Sequence, residues 1–265
     1  MRVIYMGRAK PAPLAGLEYL LEKKIEVVVV MGRSEKSGDS HGKLLDRARQ
    51  LGIPVEQEER LYVALEQKKD PHPLEYDLND IDLVISFLYT KKIKKSLVSL
   101  AKIGGINFHP APLPEFRGLG GYNIAIYENL SYWGVSAHFI EELLDAGDII
   151  KVQNFAIDPK TETAFSLEQK SQSFLLELFK EVIERVNRRH QLPRTPQGKG
   201  RYIRREEFES LRKIRPEDTL EEIDRKIRAF WYPPHGGAYI DIQGKEYTLI
   251  NAELMSEVGE RYHQV

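Results

Sequence analysis

The sequence predicts an α/β fold: a doubly wound, mostly parallel sheet, with a small helix-and-hairpin appendage at the C-terminal end. Three observations carry this. Strand-like and helix-like runs alternate over roughly the first 190 residues, the order of βαβ units with right-handed crossovers. Asp80 to Leu88 is a largely apolar run with Val and Ile, as expected of a strand covered on both faces. The 265 residues, 42% of them apolar, suffice for one full domain and a smaller companion.

Taken in order, Arg2 to Met6 reads as a strand, Leu14 to Lys24 as a helix and Ile25 to Met31 as a strand. The loop Gly7-Arg-Ala-Lys-Pro-Ala-Pro13 is not a Gly-x-Gly-x-x-Gly fingerprint, so dinucleotide binding loses its main support. It does offer a tight-turn glycine, two cations and a helix N-terminus, which suit an anion. Arg8 and Lys10 are therefore read as phosphate contacts or as a solvent-exposed cation pair. A second helix is expected from about His41 to Leu51, a short one from Lys94 to Ala101, a strand from Lys102 to His109 and a helix from Gly120 to Asn129. Strands near 134–140 and 149–155 and a long helix from Ala164 to Arg189 complete the domain.

Residues 191–200 are rich in Pro, Gly, Gln and basic side chains, which reads as a linker. In the region beyond, Leu220, Ile223, Ile227 and Phe230 recur at helical spacing, with Thr219 and Glu222 placed for a capping box. Pro233-Pro-His-Gly-Gly237 is a turn, and 238–242 and 245–250 alternate across Gln243-Gly244 as a hairpin. The expected division is a catalytic domain over 1–190, a linker over 191–210 and a hairpin subdomain over 211–265.

Composition excludes several classes. There is no cysteine, hence no disulfide framework, thiolate nucleophile or thiolate metal site. The chain reads straight into a strand at Met1 without a signal core, and holds no apolar run of about 20 residues, so a cytoplasmic setting without membrane contact is expected. A net charge of −1, from 39 basic and 40 acidic residues, provides no global field for a polyanion, which argues against a nucleic-acid partner. The basic clusters at 91–95 and 185–205 read as solvated faces.

The chemistry concentrates in Gly105-Ile-Asn-Phe-His-Pro-Ala-Pro-Leu-Pro-Glu-Phe-Arg-Gly118 and in the later turn Leu144-Asp145-Ala146-Gly147. Positions i and i+2 of a strand share a face, about 6.5 to 7 Å apart, so Asn107 and His109 point together and Phe108 points away. Prolines 110, 112 and 114 end the ladder directly after the histidine, which places the pair at the carboxyl end of a strand. Taken alone, Asn-x-His could equally cap the strand. His138 alternates with Ser136 on its own strand, where a structural hydrogen bond accounts for it; a metal site from His109, His138 and Asp145 has little support, and no metal is expected.

The two motifs, in this order and separation, resemble those of the folate-dependent formyltransferases, which include glycinamide ribonucleotide transformylase, methionyl-tRNA formyltransferase and the sugar N-formyltransferases. The resemblance covers about the first 180 residues, and extends into the C-terminal part through Ala229-Phe230 and 234–239. It implies a Rossmann-like formyltransferase core, N10-formyltetrahydrofolate as co-substrate, and Asn107, His109 and Asp145 as catalytic residues. It further implies a folate pocket between the loop of Leu88, Tyr89, Thr90 and Ile93 and the segment of Phe139, Ile140, Glu142 and Leu144. Arg117, Tyr122, Asn123 and Tyr127 are expected to edge the acceptor site, although helix packing would equally explain Tyr127.

The short C-terminal region and the near-zero charge favour a nucleotide-linked amino sugar as acceptor. A methionyl-tRNA formyltransferase-like enzyme, a formyltetrahydrofolate hydrolase and a non-catalytic folate-binding module are the alternatives. A homodimer through the terminal hairpin, with Trp231, Tyr239 and Tyr247 nearby, is also expected.

Overall fold

Hydrophobic runs of five or six residues, separated by helices, form strands that must bury both faces. The computed structural model describes residues 1–32, 43–66 and 74–262. In chain order the elements are β1 (Arg2–Gly7), α1 (Pro11–Glu22), β2 (Glu26–Met31), α2 (Lys43–Gln50), β3 (Val55–Glu56), α3 (Glu58–Glu66), β4 (Leu83–Phe87), α4 (Lys95–Val98) and β5 (Gly105–His109). They continue as β6 (Phe116–Gly118), α5 (Gly121–Tyr127), β7 (Tyr132–Phe139), β8 (Ile149–Ala156), α6 (Ala164–Asn187), β9 (Arg201–Ile203), α7 (Arg205–Arg212), α8 (Leu220–Phe230), β10 (Tyr239–Ile242), β11 (Lys245–Thr248) and α9 (Ala252–Tyr262). The expected start of the second helix at His41 lies outside the described residues.

The chain divides into two compact units. The first comprises Met1–Pro114, Val135–Gln153 and Gln172–Lys199. It is organised by a seven-stranded sheet of order β3-β2-β1-β4-β5-β7-β8. The pairs among β1 to β5 are parallel and β5 with β7 is antiparallel, so the sheet is mostly parallel. Alternation along the strands sends Ile4, Met6 and Val84 into a cluster with Leu61 and Tyr62 of α3 and Leu97 of α4. The opposite alternation brings Tyr5, Phe87 and Phe108 onto Phe179 of α6, with ring centroids 6.3, 4.9 and 4.9 Å apart. Helices thus cover both faces. On this second side a Cβ at Gly16 would meet Tyr5 Oη at 2.7 Å, so glycine lets α1 lie close on the sheet.

The second unit comprises Glu115–Gly134, Asn154–Ser171 and Gly200–Val265. Here β6 pairs in parallel with β9, and β10 with β11 as an antiparallel hairpin. Trp133, wholly buried, packs on Phe116 and Tyr122 at 5.0 and 5.8 Å. Thr219 and Glu222 form the reciprocal capping box at the start of α8, as the local sequence predicts.

Six of the described elements were not anticipated: β3, α3, β6, β9, α7 and α9. In α3 the apolar residues 61–65 run consecutively and in α7 only Phe208 and Leu211 are apolar, so neither shows a clear 3.6-residue period, and β6 and β9 are three-residue strands made only by pairing with each other. The helix α7 also starts inside the segment expected to be a linker. Its Phe208 packs edge-on against Phe230 of α8 at 5.3 Å, a contact between residues remote in sequence.

Candidate active site

The first unit assembles one row of polar side chains across three strands. Parallel register sets Ser86 of β4 beside Asn107 of β5, and antiparallel register sets Asn107 beside His138 of β7. The Ser86 hydroxyl donates to Asn107 Oδ1 at 2.6 Å, and Asn107 Nδ2 lies 2.9 Å from His138 Nε2. His138 Nδ1 lies 2.8 Å from the Phe139 carbonyl oxygen. One step along, His109 pairs with Ser136 and shares the face of Asn107. The proline-rich exit from β5 loses ladder bonds, and Ser136 replaces them. Its hydroxyl donates to the Ala111 carbonyl at 2.7 Å and accepts the Leu113 N–H at 2.9 Å.

Asp145 reaches this face from the turn after β7. Its Oδ1 stands 3.5 Å from His109 Nδ1 and 3.8 Å from His138 Nε2, with both catalytic candidates largely buried. These are ion-pair separations rather than close hydrogen bonds, and they set the carboxylate beside both imidazoles. Asp145 has a φ of +52°, a left-handed conformation that aspartate tolerates better than most residues. Two residues on, a Cβ at Gly147 would stand 2.0 Å from the Phe139 carbonyl oxygen, so only glycine allows the turn to fold back on β7.

The segment expected to be only a linker supports this turn. Thr195 forms an antiparallel bridge with Ile149, and Gln197 Nε2 donates to the Gly147 carbonyl at 2.6 Å. The Arg194 guanidinium lies 3.6 Å from the centroid of the Phe139 ring and 3.7 Å from Asp148.

The expected cofactor residues are only partly brought together. Leu144 is 54% exposed and its neighbour Leu143, within the same expected segment, is 74% exposed, an apolar edge beside Asp145. Glu142 and Thr90 are exposed and Leu88 is half-buried in a left-handed conformation. Two residues are placed elsewhere. Ile93 packs into the core with Leu97 and Tyr62, and Tyr89 of the same loop packs against that cluster. Phe139 alternates away from His138 and lines a cavity of about 740 Å³ with Ile103, Val186 and Arg194. Ile140 lies over the backbone of Gly105 and is held by its N–H to the Gly105 carbonyl, 2.8 Å. The Tyr89 hydroxyl donates to Glu58 at 3.2 Å; burial, then the Glu58 charge, raises its pKa and keeps it protonated.

Of the expected acceptor residues, Arg8 and Lys10 sit half-buried before α1, while Arg117, Tyr122 and Tyr127 belong to the second unit, as does Asn123, which is buried with its amide donating to the Ala229 carbonyl and so packs helices instead of edging a site. The N-terminus of α1 is satisfied in part from within, since the Ala12 N–H donates to buried Gln172 at 3.2 Å. Sequence reasoning missed Ser86. The available signal was a lone hydroxyl in an otherwise apolar strand.

A model described as formyl transferase matches residues 2–183. A GDP-perosamine N-formyltransferase of Brucella melitensis biotype 1 is 34% identical over 177 residues, 66% of this chain and 66% of that protein. The chain thus matches just under two thirds of that relative's length. A methionyl-tRNA formyltransferase of a Wolbachia from Drosophila simulans is 27% identical over 268 residues, covering 98% of this chain and 84% of that one. The fold is shared with an N-formyltransferase from Helicobacter canadensis solved with folinic acid and dTDP-3-aminofucose. The TM-score is 0.71 at 23% identity, over 92% of this chain and 85% of that one.

Proposed function

Because the chain belongs to the formyl transferase family, we propose that it moves the formyl group of N10-formyltetrahydrofolate to the amino group of a nucleotide-linked amino sugar. The observation that carries the reading is the convergence of Asn107, His109 and Asp145 on one face at a strand end. The 34% identity to a sugar N-formyltransferase supports the acceptor class.

The folate co-substrate supplies an activated formyl carbonyl. As the sugar amine adds to it, negative charge collects on the formyl oxygen, and an Asn107 N–H aimed there stabilises it. His109 donates to the same oxygen when protonated, or takes the amine proton when neutral. Asp145 holds the imidazole in place and accepts the proton through water. The departing folate nitrogen takes up a proton as its bond to the formyl carbon breaks, so charge balances. Leu143 and Leu144, with the 88–92 loop, are the residues proposed to cover the pteridine. Arg8, Lys10, Arg117, Tyr122 and Tyr127 are proposed for the nucleotide and sugar.

The functional division into 1–190, 191–210 and 211–265 belongs to the same proposal. So does a homodimer through the hairpin, whose Ile242 and Tyr247 are 51% and 44% exposed. No described helix is long and apolar enough to cross a membrane, and a cytoplasmic setting is proposed with the folate chemistry.

Calorimetric titration with dTDP, UDP and GDP, in the presence of a stable N-formyl folate analogue, tests the acceptor class. Micromolar binding of one nucleotide is expected. Binding of none of them, with a salt-sensitive complex with initiator tRNA instead, would favour the second reading, methionyl-tRNA formylation, which the near end-to-end match to that enzyme supports.

A further inference from the structure

We propose that His138 and Ser86 are positioning residues that lock the side-chain amide of Asn107 in the one orientation able to donate to the reacting carbonyl. The proposal rests on the formyl-transfer reading for its kinetic consequence, but its structural content stands on hydrogen-bond geometry alone.

The Phe139 carbonyl oxygen can only accept. His138 Nδ1, at 2.8 Å, must therefore carry the proton. In a neutral imidazole this leaves Nε2 as a lone pair, so the group 2.9 Å away on Asn107 has to be the amide N–H₂ rather than the oxygen. At the other end the Ser86 hydroxyl, 2.6 Å from Oδ1, donates to that oxygen. Each of the three bonds fixes the direction of the next, from a backbone carbonyl to a serine hydroxyl. One Asn107 N–H is spent on His138. The second remains for the oxyanion.

Burial makes this orientation rigid. Ser86 and His138 are each only 2% exposed, so water does not compete for the amide at either side. All three residues occupy one cross-strand row of β4, β5 and β7, so a shift would need the register of the sheet to change. A reversed amide would set its oxygen against the His138 lone pair. Asp145, 3.8 Å from His138 Nε2, and His109, with its ring centroid 6.3 Å from that of His138, are ionisable groups adjoining this row. His109 and Asp145 are left to handle protons while His138 serves as a fixed acceptor.

Two measurements test this. Nitrogen-15 NMR of histidine-labelled protein, with His138 assigned by difference from His138→Gln, is expected to show the Nδ1–H tautomer. An Nε2–H tautomer would overturn the proposal whatever the enzyme's substrate proves to be. The second is a set of variants assayed for formyl transfer. His138→Phe and Ser86→Ala should each lower kcat about 10- to 100-fold with little change in either KM, as expected of a misaimed donor. His138→Gln should recover most of the loss, because its amide oxygen accepts the same N–H. In an Asn107→Ala background neither His138→Phe nor Ser86→Ala should have a further effect on kcat, since both act through the missing amide. Equal losses in both backgrounds would mean a general structural role and sink the idea. An inactive wild-type protein would instead refute formyl transfer, and the NMR result would still decide the orientation of the row.

Discussion

Both compact units bury polar side chains on backbone groups, as Ser136 does in the first, but the first also holds a row of a different kind. In the first unit the row Ser86, Asn107 and His138 runs from side chain to side chain and leaves donor capacity at a partly exposed face. In the second unit the buried polar groups end on backbone carbonyls. Lys226 donates to the Lys213 carbonyl at 2.9 Å and pairs with Asp218. Arg228 donates to the carbonyls of Pro159 and Glu162 and pairs with Asp224, and Asn123 donates to the Ala229 carbonyl at 2.8 Å. A buried polar group whose bonds close loops and helix ends is part of the scaffold. One whose neighbours hold it while a donor stays over can act on a ligand, the role proposed for Asn107.

Variants can break this distinction. The largest effect is expected from His109→Asn, with kcat/KM for formyl transfer falling about 10³-fold while the melting temperature stays within a degree or two. Retained activity would remove His109 from the chemistry.

Lys226→Met should do the reverse. It leaves Asp218 buried without its cation and costs about 3 kcal/mol of stability by denaturant titration, with kcat of the folded enzyme unchanged. This pair also predicts a pH dependence. Burial disfavours the Asp218 carboxylate, but the bonds from Lys226 and the Arg215 N–H outweigh it and hold the pKa below its ordinary value. A depressed folded-state pKa means the unfolded chain binds the proton first. The contribution is therefore complete at neutral pH and is lost as pH falls through the folded-state value. Wild-type and Lys226→Met melting temperatures should draw together as the pH is lowered from 7 into the acid range; a constant difference would refute the assignment.

Asn123→Ala is smaller. It leaves the Ala229 carbonyl unpaired in the contact between α5 and α8, for about 1 to 2 kcal/mol and no change in kcat. Gln197→Ala is the smallest and sharpens the comparison, since its bond to the Gly147 carbonyl supports the Asp145 turn from a segment that reads as linker. A stability loss of about 1 kcal/mol or less, with a few-fold drop in kcat, is expected. A large drop in stability with kcat intact would make it scaffold.

Much of the site was legible because it depends on short-range rules. Alternation on one strand puts Asn107 and His109 together, proline ends the strand behind them, and an Asp-x-Gly turn announces a tight reversal. The partners of Asn107 were not legible. Ser86 looks like one residue of an apolar run, and only pairing of β4 with β5 brings it to the amide. Phe139 and Ile93 illustrate the converse: apolar residues beside a motif read as pocket walls, yet the sheet's alternation and the core decide where they point.

The sequence by itself determined the α/β class, the capping box at Thr219, the hairpin around Gln243-Gly244 and the three residues of the Asn-x-His and Asp-x-Gly motifs. Each is set by neighbours within a few positions, through backbone geometry and local hydrogen bonds. Only the tertiary structure decided that Ser86, Asn107 and His138 share a row, that Thr195 and Gln197 brace the Asp145 turn, and that β6 meets β9. Those contacts join residues far apart in the chain, and their register follows from which faces the whole core must bury.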